Sequence, residues 1–134
     1  MEKPFSLIGL NCALRDGDAH LKNFGIVYDC VQGEARVAPV YDLVTTSLYL
    51  TKDSLALTLN GTIKWATAKE LRKLGETRAG GTPAKIRQVL ERIVGAIRET
   101  ANEVHSYTKQ RPEFAEIGRL LQEWDSGSAN SLRG

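Results

Sequence analysis

No stretch of this 134-residue chain stays apolar long enough to cross a membrane, and no charged, apolar and small-residue leader follows Met1. A membrane span and an export signal are therefore not expected. Only two cysteines occur, Cys12 and Cys30, and their spacing is neither metal-type nor redox-type. A disulfide scaffold is excluded, and a reduced, cytoplasmic protein of bacterial type fits best. Neither charge sign dominates: the formal net charge is +2, and Lys/Arg alternate with Asp/Glu without forming a block. Such a balance gives no reason to expect direct nucleic-acid binding. Internal repeats are absent, and a chain of this length with 42% hydrophobic residues buries one ordinary core.

The informative stretch is Asp18-Ala-His-Leu-Lys-Asn23, followed by Val40-Tyr-Asp-Leu43. An Asp, an Asn five residues later and a second Asp beyond a hairpin is the spacing that places a base and two Mg²⁺ ligands around ATP phosphates. Phosphoryl transfer asks a protein mainly for positioning and charge stabilisation. Asp18 suits a general base, while Asn23 and Asp42 offer the hard oxygen donors that Mg²⁺ prefers. Lys22 either neutralises charge at the transferred group or points into solvent, as loop lysines commonly do.

A structural explanation stands beside each of these. Loop Asp and Asn residues commonly cap backbone N–H groups as Asx-turns, and His20 alone reads as a hydrogen-bonded loop residue. The Asp-x-His-x-x-Asn pattern alone should arise by chance in on the order of one in a few hundred such chains. A metal site built on His20 and Asp18 is weaker, because no second His or Cys lies nearby. Gly80-Gly81-Thr82 lacks the phosphate-loop pattern and reads as a turn with an N-cap. Trp65 and Trp124 read as core or interface anchors.

The element pattern is α+β. Phe5–Leu14 predicts a short buried helix, residues 15–23 a polar loop, Phe24–Tyr28 a strand, and residues 36–39 its partner, ended by Pro39. Leu55–Leu59, Asn60-Gly61 and Thr62-Ile63 predict a second small hairpin. Thr67-Ala-Lys-Glu70 is a capping box opening a helix that ends near Gly75. Thr82-Pro83 opens a long amphipathic helix running to Arg111-Pro112. A last helix places Phe114, Ile117, Leu120, Leu121 and Trp124 on one face, and from Ser126 to Gly134 the chain reads as a flexible tail. The domain expected is residues 1–125, a mostly helical lobe whose small hairpins carry the two acidic loops.

On Asp18-Ala-His-Leu-Lys-Asn-Phe24, Ala38-Pro-Val-Tyr-Asp-Leu43 and Leu55-Ala-Leu-Thr-Leu-Asn-Gly61, the chain resembles the C-terminal lobe of HipA-type toxin kinases. These are serine/threonine protein kinases of bacterial toxin–antitoxin modules, distantly similar to phosphatidylinositol kinases. The resemblance implies Asp18 as catalytic base, Asn23 and Asp42 as Mg²⁺ ligands, His20 as loop organiser and ATP as co-substrate. It further implies a translation-associated protein substrate, such as an aminoacyl-tRNA synthetase, and a DNA-binding antitoxin as partner. Leu43 stands where protein kinases carry the Phe of Asp-Phe-Gly, which suits HipA relatives. Nothing before Asp18 supplies a Gly-rich phosphate loop or an ATP-contacting Lys. A separately encoded or missing N-terminal lobe is therefore expected, with Met1 marking a truncation, a split gene or an expression boundary. The competing expectation is a non-enzymatic remnant that binds an antitoxin or a partner kinase chain.

Overall fold

The computed structural model describes residues 2–134. Helix α1 (Glu2–Leu14) is apolar around most of its circumference, burying Phe5, Leu7, Gly9, Asn11, Cys12, Ala13 and Leu14. A helix of this kind has to be enclosed by others. Helices α3 (Pro83–Gln110) and α4 (Ile117–Ser128) pack on it together with the turn Ala129–Arg133, and α2 (Ala68–Thr77) packs on α3 and that turn. The core joins Phe5, Cys12 and Leu14 to Leu71 of α2 and to Ile86, Val89, Leu90, Ile93 and Ile97 of α3. Those five α3 positions recur at three- and four-residue steps and so share one face. No helix among the described residues is long and apolar enough to cross a membrane.

Local signals set the helix starts. The Thr67 side chain accepts from the Glu70 N–H, and the Glu70 carboxylate accepts the Thr67 N–H at 2.8 Å, completing the capping box. Thr82 caps α3 through the Lys85 N–H, with Pro83 in the first turn, where no intrahelical N–H bond is required. Helix α2 runs to Thr77, slightly past Gly75, and Gly80 then takes a left-handed φ of 63° to turn the chain towards α3.

Strands β1 (Ile26–Val27) and β2 (Arg36–Val37) pair antiparallel, Ile26 opposite Val37. One more bond, from the Ala38 N–H to the Gly25 carbonyl, extends the pairing until Pro39, which has no N–H to give. The second hairpin contracts to a single bridge between Leu59 and Thr62. Asn60 and Gly61 do take the left-handed conformation expected of the turn. The next bond, however, joins the Leu55 N–H to the Ile63 carbonyl, so Ala56–Thr58 bulges out and no ladder forms.

Two further differences concern the C-terminus. Phe114 lies in the 3₁₀ turn Pro112–Phe114 and packs on the Tyr107 ring at 5.8 Å between centroids, off the face of α4. The segment from Ser126, expected as a flexible tail, is ordered. Residues 126–128 finish α4, and Ala129–Arg133 form a π-helical turn that buries Ser131 and Leu132. Its Ser/Gly composition serves close packing: a Cβ at Gly127 would collide with the Ala13 backbone, so only glycine lets α4 meet α1 there. Leu132, 4% exposed, then closes the core against α1, α2 and α3. Truncating a buried leucine typically costs about 2–5 kcal/mol. Leu132→Ala should therefore lower stability by that order in urea unfolding followed by circular dichroism; a change under about 0.5 kcal/mol, the size usual for surface substitutions, would mean that the terminus does not pack.

Candidate functional site

The loop after α1 begins with Arg15 in the left-handed region at φ 59°, which swings the chain off the helix. Asp16 turns inwards and is 2% exposed. Its Oδ1 accepts the Asp18 N–H at 3.1 Å, and its Oδ2 accepts the Val44 N–H at 3.5 Å, across 28 residues of sequence. One buried carboxylate thus ties the Asp18 loop to the segment after Asp42. The Asx-turn in this loop belongs to Asp16, leaving the Asp18 carboxylate without a backbone partner among the described residues.

Asp18 is half exposed, with its Oδ1 3.7 Å from His20 Nε2. Its carbonyl oxygen accepts both the His20 N–H at 2.8 Å and the Asn23 side-chain amide at 2.9 Å. Because Asn23 spends its Nδ2 on that bond, its Oδ1 remains available as a donor atom to an incoming group. The 3₁₀ turn Leu21–Asn23 carries Lys22, whose side chain is exposed and whose carbonyl accepts the Tyr41 hydroxyl. Tyr41 thereby fastens the second acidic segment to the first. Asp42 is exposed, and its φ of 54° puts it in the left-handed region, which Asp tolerates better than most residues. Such backbone strain, of order 1–3 kcal/mol, persists where surrounding contacts over-determine it.

A second layer holds Gly17. Its N–H donates to Thr46 Oγ1 at 2.7 Å, and the Thr46 hydroxyl meets the Asp53 carboxylate. A Cβ at Gly17 would strike that carboxylate and the Ser54 carbonyl, so the position requires glycine. The Thr46 N–H bonds the Arg15 carbonyl at 3.1 Å. Helix α4 buttresses the same segment: Trp124 Nε1 donates to Thr45 Oγ1 at 2.8 Å and Ser47 Oγ to Glu123 at 2.6 Å. The Arg15 guanidinium lies over the Trp65 ring, 5.2 Å from its centroid. Both tryptophans are thus half-buried anchors of the loop. Cys12 is fully buried, and burial pushes its thiol up and away from reactivity; Cys30 is exposed.

Asp16, Thr46 and Asp53 escape a reading based on motif spacing. Asp16 carries a local signal, since Asp-Gly-Asp is a sequence that readily forms an Asx-turn. Thr46 and Asp53 carry none: Thr46 takes its role from Gly17, 29 residues away in sequence, and Asp53 from Thr46.

A helical lobe that presents an exposed carboxylate, a side-chain amide and a second carboxylate on two cross-tied loops is the class of protein the geometry defines. The family model described as the HipA-like C-terminal domain matches residues 1–101, and the chain belongs to that family. Neither the curated proteins nor the solved structures give a match.

Burial raises the Asp16 carboxyl above the ordinary Asp value; the two N–H bonds oppose the rise, and the charges of Asp18 and Asp42 add to it. A folded value raised above the unfolded one contributes stability that is fully present below the unfolded value and lost as pH rises through the folded value. The stability difference between wild type and Asp16→Asn should therefore shift against wild type as pH rises through the weakly acidic range. Urea unfolding at a series of pH values reads it, and a pH-independent difference would show that Asp16 is not desolvated.

Proposed function

We propose that this chain is the catalytic lobe of a HipA-type serine/threonine protein kinase, active when an N-terminal lobe in cis or in trans completes the nucleotide site. The observation that carries the reading is the Asp16 tie, which brings a free Asp18 carboxylate and the Asp42 turn onto one support. In the step proposed, the Asp18 carboxylate takes the proton of the substrate hydroxyl as its oxygen bonds to the ATP γ-phosphorus. The bond from that phosphorus to the β–γ bridging oxygen breaks, and ADP leaves. His20, beside Asp18, orients that carboxylate, and Lys22 offsets charge on the transferred group.

The donor set suits Mg²⁺: Asn23 keeps its Oδ1 free and Asp42 has no hydrogen-bond partner for its carboxylate among the described residues. No cluster of three or more His, Cys, Asp or Glu among those residues is arranged to hold a metal alone. Two protein oxygens, with phosphate and water filling the other positions, match the usual Mg²⁺ pattern in nucleotide sites. When bound, the ion would neutralise phosphate charge. A cytoplasmic setting, a translation-associated protein substrate and an antitoxin partner complete the proposal.

A second reading, a non-enzymatic interaction module, draws on the apolar side chains left in solvent near the acidic loops. Leu21 is 74% exposed, Ile26 66% and Val31 95%. An N-terminal lobe would cover such a rim in the first reading, an antitoxin or a kinase chain in the second.

Single-turnover transfer from labelled ATP, with the chain joined to an N-terminal lobe of the family, separates the two. Asp18→Asn should slow transfer by at least about 10²-fold with ATP affinity nearly unchanged. A loss below about threefold would remove Asp18 from catalysis and favour the interaction module. Asn23→Ala and Asp42→Ala should abolish transfer through a shared Mg²⁺ defect without unfolding the lobe; near-normal transfer at low Mg²⁺ with a normal circular-dichroism melt would refute the ligand assignment. The isolated chain should bind Mg²⁺·ATP weakly by calorimetry, and low-micromolar affinity would show that it holds a complete nucleotide pocket.

A further inference from the structure

A second concave face, sharing no residue with the acidic loops, runs along α3. Two hollows of about 380 and 310 Å³ adjoin there, and Val94, Arg98 and Arg133 line both. Arg72 of α2, with Arg87 and Glu91 of α3, borders the first; Asn102, Asp125 and Ser128 border the second. Arg87, Glu91, Arg98 and Asn102 follow each other at steps of four, seven and four residues, which places them on one stripe of α3.

The charges do not cancel. Arg133 pairs with Asp125 at 2.6 Å and Arg87 approaches Glu91 at 4.0 Å. Arg72 and Arg98 enter no ion pair among the described residues, leaving two unmatched guanidinium groups on a chain whose total formal charge is +2. Concave walls concentrate such a field.

An independent observation concerns Ser128, which is 3% exposed. Its Oγ is, among the described residues, the one buried side-chain polar atom without a hydrogen-bond partner. An orphaned buried hydroxyl is destabilising, and native structures contain few of them. A ligand oxygen in the second hollow would complete it.

We propose that this cleft is a binding site for a phosphate monoester, seated where the two hollows meet. Arg98 and Arg133 donate to the phosphoryl oxygens, Arg72 adds charge from the flank, and the Ser128 hydroxyl supplies a further donor. A monoester carries about −1.5 to −2 at neutral pH, which matches the unpaired charge, and guanidinium forks fit its oxygens bidentately. Glu91 and Asp125 on the rim oppose an extended polyanion, so the ligand is compact. The same chemistry belongs to a free phosphorylated small molecule and to a phosphorylated side chain of a protein.

Calorimetric titration of the 134-residue chain with O-phosphoserine, inorganic phosphate and a short phosphoserine peptide tests the site, at low salt and at about 0.15 M. Saturable binding that survives the higher salt is expected. Arg98→Gln, an exposed change that spares the core, should weaken it about tenfold or more, and Ser128→Ala about threefold or more. Arg36→Gln, at a β2 arginine paired with Asp29 away from the cleft, should leave it unchanged. A peptide affinity well above that of O-phosphoserine identifies a protein side chain as the source, and equal affinities identify a free phosphate ester. Absence of saturable binding, an equal loss in Arg36→Gln, or tighter binding of a short single-stranded RNA than of any monoester would overturn the proposal.

Discussion

The arrangement of the acidic loops depends on one buried carboxylate. Asp16 accepts N–H groups from Asp18 and from Val44, segments that the hairpin of β1 and β2 separates in sequence. Desolvating a carboxylate is unfavourable unless hydrogen bonds compensate, and here both oxygens are engaged. The compensation fixes a distance: if either loop moves away, a buried acceptor loses its donor. Two of the three non-glycine residues with positive φ among the described residues, Arg15 and Asp42, flank this tie, as expected where packing holds the backbone in costly conformations.

That tie would be loose without the helices behind it. Helix α1 is apolar nearly all round, so its position is decided by everything that packs on it, and it delivers Arg15 and Asp16 to a fixed point. The C-terminal segment takes part in this twice. Gly127 lets α4 reach the α1 backbone, and Trp124 with Glu123 grips the residues just before and after Thr46, whose hydroxyl in turn receives the Gly17 N–H. Core packing, loop placement and the exposed Asp18 carboxylate therefore form one chain of contacts. The match to the HipA-like C-terminal domain ends at residue 101, whereas the buttress from α4 lies beyond it.

The two halves of the surface differ in character. Around the hairpin, apolar side chains such as Ile26 and Val31 stand in water, a composition that favours contact with another protein surface. Along α3 the surface is polar and cationic, with its own concavity and its own unpartnered hydroxyl. A lobe with these two faces has room for a large apolar contact and a small anionic one without competition between them.

Local chemistry was enough to fix the helices and the turns between them. The capping box at Thr67, the Thr82-Pro83 start, the periodic stripe of α3 and the left-handed Asn60-Gly61 turn are all nearest-neighbour effects, legible because they involve residues within four positions of one another. The acidic motif was legible in the same way, as residue types at a spacing. Tertiary contacts decided the rest. The second hairpin shrank to one bridge because Ala56–Thr58 bulges, and the Ser/Gly-rich end became an ordered helix because small residues there meet the α1 backbone. A composition that reads as loose in isolation is the one that permits the closest approach of two helices. Asp16 and Thr46 became ties between the loops only through Val44 and Gly17, partners about thirty positions away, with Asp53 held behind Thr46, and no local pattern encodes a hydrogen bond across that distance.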